Sequence, residues 1–330
     1  MRSSFYGRWQ ELGRESTVEL RDFGRLGRIS ALTLGGGGIA GVWGRTDRAE
    51  AVATVHAAID AGVTMLDLAP SYGVDAESEL AAGEALRQRP AGHVMITSKV
   101  QLEGDGDFAG RIGRSLRASL DRIGRDHLDL FLLHTQLQPV DGGQVPRNIA
   151  WRDYRDEVVP EFERLRDAGL IRAWGITAVG HPDSVLAALR ETPRPDAAQV
   201  VVNALDMPGD IYPWSDVPAA NDEIRRVANG NGVAVVGIRA VAAGSLTSAL
   251  DRDVPPDHPA AVDFARAEPF RKVAAELGET PAALAHRYAL SVPGVATVVL
   301  GVKNREELAE CLAAEARGPL TDDELGAVSR

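Results

Sequence analysis

The 330-residue chain is short of cysteine, of basic charge and of long apolar runs. Its single cysteine, Cys311, cannot form an internal disulfide. No Cys/His cluster has metal-ligand spacing, so the pattern points to a reducing, cytoplasmic setting without a metal site. No apolar stretch approaches the ~18 residues of a membrane-spanning helix. The N-terminal MRSSFYGRWQELGRES lacks the apolar core of a secretory signal. Lys and Arg number 36 against 47 Asp and Glu, a net charge of −11. Nucleic-acid binding needs a basic footprint, so a small molecule is the expected partner, with neither nucleic acid nor membrane. No low-complexity or Pro/Gly-rich linker divides the chain. The organisation read from this is one domain over 18–330 behind an N-terminal extension, 1–17.

What is present is ordinary globular material, 45% hydrophobic and 25% charged, in a regular pattern. Eight short apolar runs rich in Val, Ile and Leu occur at 31–36, 64–69, 94–100, 128–134, 173–179, 198–205, 233–241 and 296–302. Continuous rather than alternating apolar character marks strands covered on both faces. Amphipathic segments such as 48–62, 111–124 and 306–316 lie between them, several closing at Gly. Eight βα units with right-handed crossovers close into a (β/α)8 TIM barrel. Upstream, VELRDFGRLGRIS (18–30) reads as an N-terminal β-hairpin capping the barrel floor. Long connections after His134 and Leu205, and an irregular stretch at 251–264, follow strand C-termini and belong over the barrel mouth.

One competing pattern exists. Gly36, Gly38 and Gly41 form G-x-G-x-x-G after the first barrel strand, and Asp67 ends the next, as in a Rossmann fold. Against it, VWGRTD separates Gly41 from the following helix, and eight βα units exceed the six strands of that sheet. The glycines are instead read as letting backbone approach a ligand closely.

In a barrel, side chains at strand C-termini converge on one face. Asp67 ends the second strand with Tyr72 in its loop, Lys99 ends the third, and His134 ends the fourth. Singly, each has a bland reading as a cap, a rim aromatic, a solvated strand end or a core histidine. Together they suit proton transfer. An adjacent ammonium lowers a phenol's pKa from about 10; Asp67 would keep Lys99 charged, and His134 would hydrogen-bond a carbonyl oxygen. Such a set protonates a developing alkoxide as hydride arrives at carbon.

These residues resemble the aldo-keto reductase family over nearly the whole chain. DLAPSYG matches its Asp-x-Ala-x-x-Tyr-Gly, SELAAGEAL (78–86) its Ser-Glu-x-x-x-Gly segment, ITSKV its strand-three lysine, and SLDRIGRDHLDLFLLH its run ending in histidine. The resemblance implies an NAD(P)(H)-dependent oxidoreductase acting on a small aldehyde, ketone or sugar, with Tyr72 as general acid, Lys99 and Asp67 tuning it, and His134 orienting the carbonyl. It further implies dinucleotide contacts at Gly37, Thr177, Gln199, Ile238, Arg239, Gly301, Lys303 and Glu307, with Thr177-Ala178 standing where the family usually has Ser-Asn. Lys303 facing a 2'-phosphate gives a lean toward NADP(H), with NAD(H) the alternative; Glu307 opposes the lean because a carboxylate repels phosphate. Trp43, Trp151 and Trp214 are candidate substrate-pocket aromatics, together with Tyr154. A cofactor-binding regulatory or redox-sensing subunit is the alternative function. A barrel hydrolase or isomerase would need a second carboxylate at a matching strand end, and the sequence offers none.

Overall fold

The computed structural model describes residues 18–103, 106–139, 148–207, 209–214, 216–250 and 253–328. The expected extension, 1–17, and the absence of a leader read from it lie outside these residues. Strands β1 (Leu20–Asp22) and β2 (Arg28–Ser30) form an antiparallel hairpin. The remaining strands are β3 (Leu32–Gly35), β4 (Met65–Asp67), β5 (Met95–Val100), β6 (Leu128–Leu133), β7 (Gln136–Gln138), β8 (Asn148–Ala150), β9 (Ile171–Thr177), β10 (Ala197–Val201), β11 (Ala234–Ile238) and β12 (Val295–Leu300). A closed barrel runs β3-β4-β5-β6-β9-β10-β11-β12, every pair parallel; β7 and β8 form a separate two-stranded ribbon. This is the (β/α)8 architecture that the eight apolar runs imply.

The alternation of side chains along a strand divides the interior in two. Met65, Leu130, Leu132, Ala173, Ala197, Val236 and Ala296 point inward and pack with Phe23, Leu26 and Ile29 of the hairpin, which therefore plugs the floor. Their neighbours Leu66, Phe131, Trp174, Ala198 and Val235 point outward into the layer beneath the helices. Strands buried on both faces leave no room for a polar alternate, which is why the runs read as continuously apolar.

The helices are α1 (Gly36–Ile39), α2 (Arg48–Asp60), α3 (Glu77–Gln88), α4 (Phe108–Ile123), α5 (Trp151–Asp153), α6 (Val159–Asp167), α7 (Pro182–Arg190), α8 (Asn221–Gly230), α9 (Pro259–Arg266), α10 (Glu268–Glu276), α11 (Pro281–Ser291), α12 (Arg305–Ala316) and α13 (Asp322–Val328). Local chemistry sets several starts: Asp47, Thr280 and Asn304 each accept a hydrogen bond from a backbone N–H in the first turn of α2, α11 and α12. Gly124 ends α4 at φ 78°, a left-handed cap. Buried Arg287 bridges Glu279 and Glu324, tying α13 onto α11.

The glycine run corrects one reading. Gly36–Ile39 is itself a helical turn, packed so closely that a Cβ on Gly36 would lie 2.8 Å from the Ser78 Cβ and one on Gly38 would collide with the Val302 carbonyl. Gly36 and Gly38 make room for the Ser78 side chain and the Val302 backbone. The irregular 251–264 stretch also differs, since α9 begins within it at Pro259; residues 251–252 lie outside the described set.

Candidate active site

The site follows from the same period of two. Beyond Met65, the next inward position of β4 is Asp67; beyond Met95 and Thr97 on β5 it is Lys99; beyond Leu130 and Leu132 on β6 it is His134. On β9, β10 and β11 the last inward positions after Ala173, Ala197 and Val236 are Thr177, Gln199 and Ile238. Six polar or site-bearing positions thus crown an apolar interior at its C-terminal end.

Lys99 is wholly buried and Asp67 2% exposed. The ammonium sits 2.9 Å from each Asp67 carboxylate oxygen and donates to the Leu68 carbonyl at 2.9 Å. Gln199 Nε2 donates to Asp67 Oδ1 at 3.1 Å and its Oε1 accepts from Thr177 Oγ1 at 3.3 Å. Tyr72 lies over this network: Lys99 Nζ is 4.6 Å from its ring centre. The Tyr72 and His134 rings meet edge to face at 5.6 Å, and His134 Nδ1 is 3.5 Å from Ser71 Oγ.

The loop that aims Tyr72 is tightly determined. Ser78 on α3 donates to the Ala69 carbonyl at 2.9 Å, and Tyr72 N–H donates to the same carbonyl at 3.1 Å. Gly73 has φ 78°, and a Cβ there would lie 2.7 Å from that of Glu77; only glycine serves. Asp75 and Ala76 are also left-handed, at φ 53° and 60°, a conformation that costs free energy in non-glycine residues and clusters at functional sites.

Burial pushes the Tyr72 phenol above its ordinary pKa, and the neighbouring Lys99 charge offsets only part of that. The expected net lowering is therefore reversed: Tyr72 is partly exposed as a residue, but its hydroxyl end is desolvated, which penalises phenolate. Burial also works against the Lys99 charge, yet Asp67 and Tyr72 outweigh it and hold the ammonium above its usual range.

The expected dinucleotide residues divide into two groups. Thr177, Gln199 and Ile238 line the mouth beside Asp67. Gly37 and Gly301 flank the Trp43 indole, where their Cβ atoms would lie 3.2 and 3.5 Å from Nε1. Lys303 and Glu307 form an ion pair of 2.7 Å at the β12–α12 turn. Arg239, expected near a phosphate, takes φ 59° and lays its guanidinium against Gly209 in the loop after β10.

The three tryptophans separate. Trp43 stands with Gly37 and Gly301 rather than in a pocket of its own. Trp151 stacks at 5.4 Å on buried Tyr154 and packs on the core beneath the helices, so both anchor α5 and α6; the loop residues 140–147 before them are outside the described set. Trp214 stands 5.3 Å from Tyr212 and 5.9 Å from His181. With it come residues that the sequence did not single out: Gln136 donates to the Ile211 carbonyl at 2.9 Å, while Gln136 Oε1, His181 Nδ1 and Tyr212 Oη are buried and have no hydrogen-bond partner among the described residues. The one signal for Gln136 was its place two residues beyond His134. Glu79 was quoted only within a motif, yet it is wholly buried, bonding Ser98 and Arg122 behind β5.

The family model described as "Aldo/keto reductase family" matches residues 31–330. L-galactose dehydrogenase of Arabidopsis thaliana is 25% identical over 302 residues, covering 90% of this chain and 88% of that protein. The NADH-specific methylglyoxal reductase of Escherichia coli is 26% identical over 247 residues, 69% and 68% of the two chains. In fold, the holo form of aldo-keto reductase AKR11C1 from Bacillus halodurans superposes with a TM-score of 0.72 at 22% identity over 95% of each chain.

Proposed function

We propose, since the chain belongs to the aldo/keto reductase family, that it interconverts a carbonyl and an alcohol on a small aldehyde, ketone or sugar, using Tyr72 as general acid and base. The observation carrying this reading is the buried Asp67–Lys99 pair under the Tyr72 ring, with His134 against its edge.

The donor set fits a nicotinamide dinucleotide. Gly37 and Gly301 leave a slot beside Trp43 that a Cβ would narrow. Thr177 and Gln199 offer a hydroxyl and an amide for the nicotinamide carboxamide, and Ile238 an aliphatic face. Gln199 bonds Asp67 through one N–H and Thr177 through one lone pair, which leaves a second N–H and a second lone pair for a ligand. When bound, the dinucleotide supplies or accepts a hydride at the reacting carbon.

The remaining steps belong to the chain. His134 holds the carbonyl oxygen beside Tyr72. The phenol, kept protonated by burial, donates its proton as charge grows on that oxygen, and the fixed Lys99 ammonium stabilises the phenolate left behind. In the oxidative direction Tyr72 takes the proton back. Trp214, Tyr212, Gln136 and His181 form the rim against which the rest of the substrate lies. A single domain over 18–330 and a cytoplasmic setting complete the reading, the latter resting on the cysteine content.

Tyr72→Phe tests it. Turnover should fall by about 10²-fold or more while dinucleotide binding persists; undiminished turnover removes Tyr72 from its role. A wild-type chain that binds the dinucleotide yet reduces no carbonyl in a broad panel returns the regulatory alternative.

A further inference from the structure

We propose that Glu307, by clamping Lys303, sets this site for NAD(H) over NADP(H). The inference rests on the oxidoreductase reading and reverses the lean toward NADP(H) drawn from Lys303 in the sequence.

The β12–α12 turn carries two cations, and each is already matched. Lys303 meets one carboxylate twice: Nζ lies 2.7 Å from Glu307 Oε1, and its backbone N–H donates to Glu307 Oε2 at 2.9 Å. Arg305 gives Nε, Nη2 and its backbone N–H to Glu50 at 3.0, 2.9 and 3.0 Å. The turn is also fixed in place. Asn304 caps α12 by accepting from Glu307 N–H at 2.9 Å, and Thr46 donates to the Lys303 carbonyl at 2.9 Å. The bond from the Lys303 backbone N–H keeps the Glu307 carboxylate at this turn even when the ammonium moves off it.

A 2'-phosphate is close to a dianion at neutral pH and calls for uncompensated cationic donors. At this turn it would have to displace Glu307 from Lys303 and then tolerate that carboxylate alongside, a like-charge contact. A ribose 2'-hydroxyl is suited to the same groups, since it can donate to a carboxylate, as it does to the acidic residue in NAD sites of other folds. The Glu307 side chain is 34% exposed, so its oxygens are within reach of a ligand.

The experiment is a fluorescence titration of the full chain with NADH and with NADPH, in wild type, Glu307→Gln and the Lys303→Met/Glu307→Gln double variant, with thermal melting to verify folding. Wild type should bind NADH about tenfold or more tighter than NADPH. Glu307→Gln removes the carboxylate beside Lys303 and should tighten NADPH by about tenfold with little change for NADH, and the double variant should lose that gain. Equal or tighter NADPH binding by wild type, or an NADH/NADPH ratio unmoved by Glu307→Gln, overturns the proposal while leaving the oxidoreductase reading intact. Failure of both dinucleotides to bind overturns that reading itself.

Discussion

Lys99 and Asp67 form a buried ion pair, the ammonium 2.9 Å from both carboxylate oxygens. Removing one member of such a pair leaves an uncompensated buried charge, which costs about 3–5 kcal/mol. Lys99→Met should therefore do two things at once: lower thermal stability substantially, because Asp67 is stranded, and lower turnover, because the phenolate loses its cation. Asp67→Asn should strand the ammonium in turn. Melting curves and steady-state rates on the same preparations check this; wild-type stability in both variants would mean that the pair is not sealed.

The raised Tyr72 pKa predicts an alkaline response with a definite sign. A phenol whose folded pKa exceeds its unfolded value of about 10 stays protonated in the fold where the unfolded chain has lost its proton. Its contribution to stability is present below about pH 10 and is lost as pH rises through the folded value. Lys99, also raised, acts in the same direction. Reductive turnover, which needs the protonated phenol, should accordingly persist across neutral and mildly alkaline pH. A fall centred well below pH 10 in the reductive kcat would contradict desolvation as the dominant influence on Tyr72.

How much of this was legible in the chain depended on how local the cause was. The eight strands were legible because burial on both faces forces continuous Val, Ile and Leu, and the hairpin because Phe23, Leu26 and Ile29 sit about a glycine turn. Asp67, Lys99 and His134 were legible because each breaks an apolar run in the inward phase. Gly36 and Gly38 were misread: glycine records a close approach but not what approaches, and here it is the backbone of Val302 and the side chain of Ser78. Gln136, His181 and Tyr212 went unseen because they converge from the connections that follow three different barrel strands. The Tyr72 pKa was misjudged because sequence names the neighbouring charge but not the depth of burial.

The glycine turn yields a contrast between neighbours. Gly38→Ala drives a Cβ into the Val302 carbonyl, whereas Gly37→Ala brings one only to 3.2 Å from the Trp43 indole nitrogen. Backbone cannot yield as a side chain can, so Gly38→Ala should cost about 1–3 kcal/mol as an overpacking change, and Gly37→Ala much less. Gly37→Ala should instead weaken dinucleotide binding by narrowing the slot beside Trp43. Thermal melts and fluorescence titrations of the two variants separate fold from site; the reverse ordering of stabilities would refute the packing assignment.

An acid-side prediction comes from outside the site. His286 on α11 is 5% exposed; its Nδ1–H donates to the Ala282 carbonyl at 2.8 Å, and Nε2 lies 3.7 Å from Cys311 Sγ on α12. Burial lowers its pKa, with the Ala282 bond and the Glu310 charge opposing only in part. A histidine held neutral in the fold is protonated in the unfolded chain below about pH 6.5, so the folded state binds fewer protons there. Stability is then complete above that pH and declines as pH falls toward the lower folded value. The carboxylates with lowered pKa, such as Glu50 and Asp222, take effect only below their unfolded values of about 4, leaving the interval from about pH 6.5 to 4.5 to histidine. In that interval His286→Gln, which keeps a hydrogen-bond donor and does not titrate, should flatten the slope of melting temperature against pH. An unchanged slope would assign the acid sensitivity to another of the seven histidines.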